Sequence, residues 1–234
     1  PVRVLLAVCR PIGTAPIDPK AVQGPLEHGL RSLAETADVI VDVLKPPTHA
    51  ALIEAVTTGN YHIVHFDGHG ILAQECPECH ALNAPDRDTC GGCDVPLQDV
   101  HAQGYLLFED EYGSGDPITA SQMQSALRNT PVRLVVMNAC QSAMIPLGDI
   151  WRGAAPTLVQ AGVPLVVAMQ VSVPVKTVVA FCSQFYASLA HGKPLIEAVA
   201  DGRRPLAGRR YGDTWFIPVL YARTADEYRL FRPC

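Results

Sequence analysis

The sequence lacks any apolar run approaching the ~18 residues that a membrane-spanning helix needs, so no membrane span and no membrane partner are expected. It also lacks a basic tract, and its net charge is −5. A direct nucleic-acid partner is therefore not expected. Internal repeats and low-complexity tracts are absent. Charged residues make up only 18% of the 234 residues and hydrophobic residues 48%, which excludes a disordered chain and allows a buried core. The opening stretch PVRVLLAVCRPIG is too short, and too soon broken by Pro11, to be a signal peptide. The chain begins at proline without a methionine, as an excised domain or a processed product would.

Cysteine, in contrast, is plentiful. Of eight cysteines, four crowd into CPECHALNAPDRDTCGGC, while Cys9, Cys140, Cys182 and Cys234 are scattered in apolar or terminal contexts. That distribution suits a metal site plus free thiols in a reducing cytoplasm better than a secreted disulfide framework. Cys76, Cys79, Cys90 and Cys93 form two C-x2-C knuckles ten residues apart. Two knuckles offer four thiolates to one tetrahedral ion, the set that Zn²⁺ takes at ~2.3 Å per bond. Pro77 and Gly91-Gly92 suit the tight turns that aim sulfur pairs inwards. The alternatives are two disulfides or a redox CxxC pair. The loop has few apolar residues, so metal would stand in for a core. Four thiols close the site to water, so the ion is expected to be structural and His80 is not needed as a ligand.

Strand-like runs recur at 2–8, 38–44, 61–66, 132–137 and 163–169, several nearly continuous in Val, Ile and Leu, as in strands buried on both faces of a parallel sheet. Residues 215–222 suit a last strand, which Pro218 would place at an edge. Helical patterns fall between. In 21–37, Val22, Leu26, Leu30, Leu33 and Ala37 share one face. THAALIEAVTTGN has Thr48 as its cap and stops at Gly59-Asn60. ITASQMQSALRN opens on a Thr or Ser cap and closes before Pro131. A longer helix from Pro174 stops at Gly192. Alternating strands and helices imply an α/β sandwich with a mostly parallel sheet.

Two apolar runs end on reactive residues. IVHFDGHG leads into Asp67, Gly68, His69 and Gly70, and RLVVMNACQSA leads through Asn138 to Cys140. Groups that bind or react in open α/β sheets collect beyond the carboxyl ends of strands. An imidazole beside a thiol can take its proton or serve as the acid for a leaving group. Glycines around His69 leave main-chain amides free to face an oxyanion. A lone strand-end cysteine is more often a small core residue. Two such ends of complementary chemistry favour a nucleophile and its base.

VHFDGHG followed about seventy residues later by LVVMNACQSA resembles the CHAT family of caspase-like cysteine peptidases, relatives of separase and caspases. GYLLFEDEYGSGDPITASQMQSAL resembles the hairpin and helix between the two motifs. GVPLVVAMQ, FYASLAHGKPLIEAVADGRR and TWFIPVLYA resemble the family's later strand, paired helices and final strand. The resemblance covers nearly the whole chain, 1–234, and implies a caspase-like α/β sandwich. It also implies a His69–Cys140 dyad cleaving peptide bonds through a thioester acyl-enzyme, with the amides of Gly70 and Cys140 as the oxyanion hole. Residues 74–98, around the four cysteines, look like an insertion outside the family core, zinc-ribbon-like and at the rim beyond His69. The stretch VSVPVKT, with Lys176, departs from the acidic pair many relatives carry there, which leaves substrate preference open.

Three residues are candidates for reading substrate. Related arginine- and lysine-cutters often place an acid two residues before the nucleophile; here that residue is the neutral Asn138. Asp67 falls two before His69 and on an alternating strand shares its side. Three roles are open to it: binding a basic side chain, orienting a backbone, or capping the turn, of which the structural ones are slightly preferred. Gln170, at its strand end, is the third candidate. His65 reads as a satisfied core histidine, Cys9 and Cys182 as core thiols, Asp149 and Trp151 as a cap and a packing aromatic, and Glu109 and Asp110 as solvated hairpin charges. The leading reading is a cytoplasmic cysteine endopeptidase, bacterial in style, acting on a partner protein and controlled by a sensor domain or partner. The competing readings are a silent peptidase-fold scaffold that binds a protein through the zinc insertion, and a CxxC thiol oxidoreductase.

Overall fold

A computed structural model of the protein describes residues 2–14, 39–139, 155, 158–160, 162–169, 174–223 and 230. The sequence-predicted helix over 21–37 lies outside these residues, apart from which the predicted elements have counterparts. The main sheet contains β1 (Val2–Val8), β2 (Val39–Val43), β3 (Ile63–Glu75), β7 (Leu134–Ala139), β8 (Leu165–Met169) and β9 (Pro218–Ala222), in the order β2-β1-β3-β7-β8-β9. All neighbours are parallel except β8 and β9. Pro218 starts the edge strand, where a missing N–H donor is tolerated.

The sheet is apolar on both sides because helices cover both. One face packs Leu5, Phe66, Val135, Met137 and Val166 against α1 (His49–Thr58) and α2 (Ala120–Leu127) through Leu52, Val56, Met123 and Leu127. The other packs Leu6, Ile63, Leu134, Val136 and Val167 against α3 (Val175–Ala190) and α4 (Leu195–Arg203), with Phe181 and Phe185 stacked at 5.4 Å. Each such fully buried side chain contributes about 1.5–3 kcal/mol. Gly202 lets α4 approach α3: a Cβ there would lie 2.7 Å from the Phe181 ring. The caps are those expected. Thr48 Oγ1 accepts from Ala51 N at 3.1 Å, and Thr119 and Gln122 form a reciprocal capping box.

The strand carrying His69 differs from expectation. The apolar run predicted to end at the DGHG turn instead continues as a 13-residue strand. It changes partners rather than stopping. Residues 63–68 pair with β7 in parallel, and 69–73 pair antiparallel with β5 (Gln103–Glu109), itself hairpinned to β6 (Gly115–Thr119). The two ladders satisfy the backbone groups a turn would have left to solvent. At its end, Gln74 and Glu75 pair with the short β4 (Leu82–Asn83), so β3 runs straight into the cysteine cluster. No helix among the described residues is long and apolar enough to cross a membrane.

Candidate functional site

The β3–β7 ladder sets the site's geometry. Its last pairs are Phe66 with Met137, Asp67 with Asn138 and Gly68 with Ala139. His69 is the next residue of β3, and Cys140 follows Ala139 in sequence. Cys140 and Gln170 lie outside the described residues. His69 is buried, 3% exposed, at the point where β3 passes from the parallel ladder to β5, opposite Leu107; Gly70 is opposite Leu106. Gly68 is fixed by crowding, since a Cβ there would lie 2.7 Å from the Phe66 ring and 3.3 Å from Cys9 Cβ. The backbone before His69 is therefore pressed against the Phe66 ring and against Cys9, just past the end of β1.

Asp67 is held by a residue the sequence reading did not single out. Its buried carboxylate pairs with the Arg10 guanidinium just past β1. Arg10 Nη1 also donates to the carbonyls of Asp67 and Cys9, each at 2.8 Å. Burial raises the Asp67 carboxyl above its ordinary range, against the lowering effect of Arg10. Glu109, expected to be a solvated hairpin charge, accepts the Arg10 main-chain N–H at 2.7 Å. Asp110, expected likewise, caps its own hairpin by accepting from Tyr112 N and Ser114 N at 2.8 and 2.7 Å. The signal for Arg10 was available: a lone charge at the end of a buried strand, directly before Pro11.

Asn138 lies across the ladder from Asp67 and is 1% exposed. Its Nδ2 donates to His65 Nε2 at 2.7 Å and to Cys182 Sγ at 3.2 Å, while His65 Nδ1 meets Tyr186 Oη at 2.6 Å. The donor from Asn138 makes Nε2 the acceptor, so Nδ1 carries the proton toward Tyr186. Complete burial lowers the His65 pKa to about 3 and keeps the ring neutral. His65 is thus the satisfied core histidine expected. Burial likewise holds the Cys9 thiol protonated and raises that of Cys182 to about 12. The structure places Asp67 and Asn138 side by side in the sheet, the carboxylate of Asp67 engaged by Arg10 and the Nδ2 of Asn138 by His65 and Cys182.

The four cysteines come together. Their Sγ atoms all lie within 4.8 Å of one another, with Cys76 to Cys93 and Cys79 to Cys90 each at 3.5 Å. A tetrahedral ion with ~2.3 Å bonds to sulfur has ligand–ligand edges of about 3.8 Å, which this set fits. The two knuckles repeat one geometry. Cys76 N bonds Ala81 O and His80 N bonds Cys76 O; Cys90 N bonds Val95 O and Asp94 N bonds Cys90 O, all at 2.8–3.0 Å. Each turn has one residue in the left-handed region, His80 at φ 58° and Asp94 at φ 59°. The glycines expected to make these turns do not adopt it. The amide of Gly92 points at Cys90 Sγ at 3.3 Å and is the chief cause lowering that thiol to about 6. His80 pairs with Glu75 at 3.0 Å and stays 76% exposed. A small core of Cys76, Cys90 and Leu97 backs the cluster, and Gln74 Nε2 ties β3 to it through the carbonyls of Leu97 and Val100.

Comparison with known proteins bears on this arrangement. A family model described as the CHAT domain matches residues 19–214. The structure of the Saccharomyces cerevisiae separase–securin complex is similar with a TM-score of 0.51 and 14% identity, over 95% of this chain and 12% of that one. The Drosophila initiator caspase Dronc gives 0.49 and 10% identity, over 94% of this chain and 78% of that one. This chain therefore spans about an eighth of the yeast chain's length. No curated protein matches the sequence. With a strand order that makes β3 and β7 neighbours and a family match over most of its length, the chain belongs to the CHAT domain family and has its caspase-like α/β fold.

Proposed function

We propose that the protein is a cysteine endopeptidase in which Cys140 is the nucleophile and His69 its base. The observation that carries this reading is the β3–β7 register: it ends at Gly68 and Ala139, so the next residues in the two sequences are a histidine and a cysteine. In the proposed reaction the Cys140 thiol gives its proton to the His69 imidazole and the sulfur attacks the scissile carbonyl. The oxyanion is taken by the main-chain amides of Gly70 and Cys140. The tetrahedral adduct collapses to a thioester, the C–N bond breaks, and His69 returns the proton to the leaving amine. Water, deprotonated by His69, then hydrolyses the thioester and frees the thiol.

Residues 74–98 are proposed as an insertion in which Cys76, Cys79, Cys90 and Cys93 hold a structural Zn²⁺. Bound there, zinc supplies a cross-link between two turns that share only a few apolar residues. The described cysteines are all free thiols, which suits a reducing compartment such as the cytoplasm. The separase in the yeast structure is in complex with securin. By analogy, a protein partner is proposed as substrate and another as regulator.

Asp67 and Asn138 are assigned to positioning rather than to reading substrate. Asp67 has Arg10 on its carboxylate, and Asn138 is turned onto His65 and Cys182. A basic side chain before the cut bond would have to displace Arg10, so no preference for arginine or lysine is expected. The test is cleavage of an unbiased peptide library by wild type, Cys140→Ala and His69→Ala, read by mass spectrometry. Cleavage by wild type alone supports the assignment. Equal cleavage by all three refutes the dyad, and cutting confined to arginine or lysine refutes the role given to Asp67. Silence of all three with the proteins encoded beside this one added favours a binding scaffold.

A further inference from the structure

With the candidate readers Asp67 and Asn138 held inside the fold, the rim offers another surface. β9 runs antiparallel to β8, and its first residue, Pro218, pairs with Met169, the last residue of β8. The turn just before β9, Thr214–Phe216, therefore stands at the same rim of the sheet as the end of the β3–β7 parallel ladder. Trp215 and Phe216 on this turn are 48% and 49% exposed and pack edge-to-face at 6.2 Å. Beside them Arg209 and Arg210 are exposed, and the Arg210 guanidinium lies 5.5 Å from the Tyr211 ring. Lys176, also exposed, begins α3 at the same rim and donates to Arg210 O at 3.3 Å. Among the described residues, none of these three cations pairs with a carboxylate. Between Arg209 and Pro218 Asp213 is the one acid, against Arg209, Arg210 and the neighbouring Lys176, in a chain of net charge −5.

The backbone under these side chains is fixed. Arg203 Nε donates to Pro218 O at 2.8 Å, Ile217 is buried, and Tyr211 packs on the α3–α4 core. Trp215, Phe216, Arg209 and Arg210 are exposed on an anchored turn, the kind of preorganisation that lowers the cost of binding. Position gives the ligand. β9 is two strands from β7, about 10 Å at ~4.8 Å per strand, and an extended peptide covers that in about three residues at ~3.3 Å each.

We propose that Lys176, Arg209, Arg210, Tyr211, Trp215 and Phe216 bind an acidic segment of the protein substrate, with carboxylates and an apolar residue about three to four positions from the cut bond. This rests on the peptidase reading for the term "cut bond" but not for binding itself. The probes are fluorescein-labelled peptides carrying Asp and Glu, with Asn/Gln counterparts, titrated onto the Cys140→Ala protein, and the same pairs offered to wild type for cleavage.

The acidic peptide is expected to bind about tenfold more tightly than its neutral counterpart at low salt, with the difference shrinking as salt is added. Arg209→Glu with Arg210→Glu is expected to erase the difference. Arg209→Lys with Arg210→Lys should keep most of it, and Trp215→Ala should weaken both peptides. Acidic and neutral peptides binding alike, or a preference that survives the double charge reversal, would overturn the proposal. So would a poly-uridine oligonucleotide binding more tightly than the acidic peptide. Charge-dependent binding without cleavage would sink the peptidase reading alone; cleavage with no acidic preference would sink this surface alone.

Discussion

Replacing Arg10 with methionine isolates its ion pair with Asp67, two residues before His69 on β3. The Asp67 side chain is 4% exposed and that of Arg10 is 18% exposed. Methionine keeps much of the stem's packing but removes the charge and the donors to Asp67 and Cys9. Breaking a buried pair on one side costs ~3–5 kcal/mol; the partial exposure of Arg10 puts the expected loss at the lower end, about 3 kcal/mol near neutral pH. The pH dependence has a definite sign. Burial already raises the Asp67 pKa in the folded state above its ordinary 3.8. The folded protein thus binds this proton more tightly than the unfolded chain. The group's contribution is full below the unfolded pKa and is lost as pH rises through the folded value. Without Arg10 the folded value climbs further and the window extends toward neutrality. Denaturant unfolding of wild type and Arg10→Met at about pH 5 and about pH 7.5 should show a deficit that narrows on acidification. Arg10→Met with Asp67→Leu should recover much of the loss, because no unpaired charge remains. A deficit below about 1 kcal/mol at neutral pH, or one equal at both pH values, would refute the reasoning.

Other perturbations test the neighbouring assignments. His65, held neutral with a pKa of about 3 in place of 6.5, favours the folded state fully above the unfolded value and progressively less as pH falls toward the folded one. Its ring resonances should not titrate between about pH 8 and about pH 5, and a titration there would remove it from the core network. Tyr186→Phe leaves His65 Nδ1 without its 2.6 Å partner and should cost about 1–3 kcal/mol in denaturant unfolding; no loss would mean the contact carries no weight. Gly202→Ala should destabilise by about 1–3 kcal/mol through overpacking on Phe181, and a neutral effect would show that α4 shifts freely. The purified protein should hold about one zinc per chain and lose it on Cys93→Ser, and cobalt substitution should give the visible bands of a tetrahedral thiolate site. Zinc retained by that variant would dismiss the four-cysteine set.

Much was legible in the sequence because it depends on local pattern. Val and Ile runs flanked by capped helices gave the layered sheet, since apolar residues on consecutive positions require cover on both faces. Thr48, Thr119 and Pro218 marked their own elements through hydrogen-bonding rules that act within a few residues. The two CxxC spacings gave the sulfur cluster, because four thiols at those intervals need only two turns to converge.

What tertiary structure decided were relations between residues far apart in sequence. The extension of β3 through His69 required β5 to supply its hydrogen bonds, a partner more than thirty residues away. The apposition of Gly68 with Ala139, which makes a histidine and a cysteine sequence neighbours of one ladder end, followed from parallel register. Arg10 could be matched to Asp67 only after β1 was laid beside β3, and Asn138 to His65 only after β7 was laid on its other side. Composition and spacing therefore determined which chemistry the chain carries, while the folded sheet decided which of its polar groups are occupied within the core and which face outward. A buried charge or amide must find its partner wherever folding brings one, and sequence distance does not say where that is.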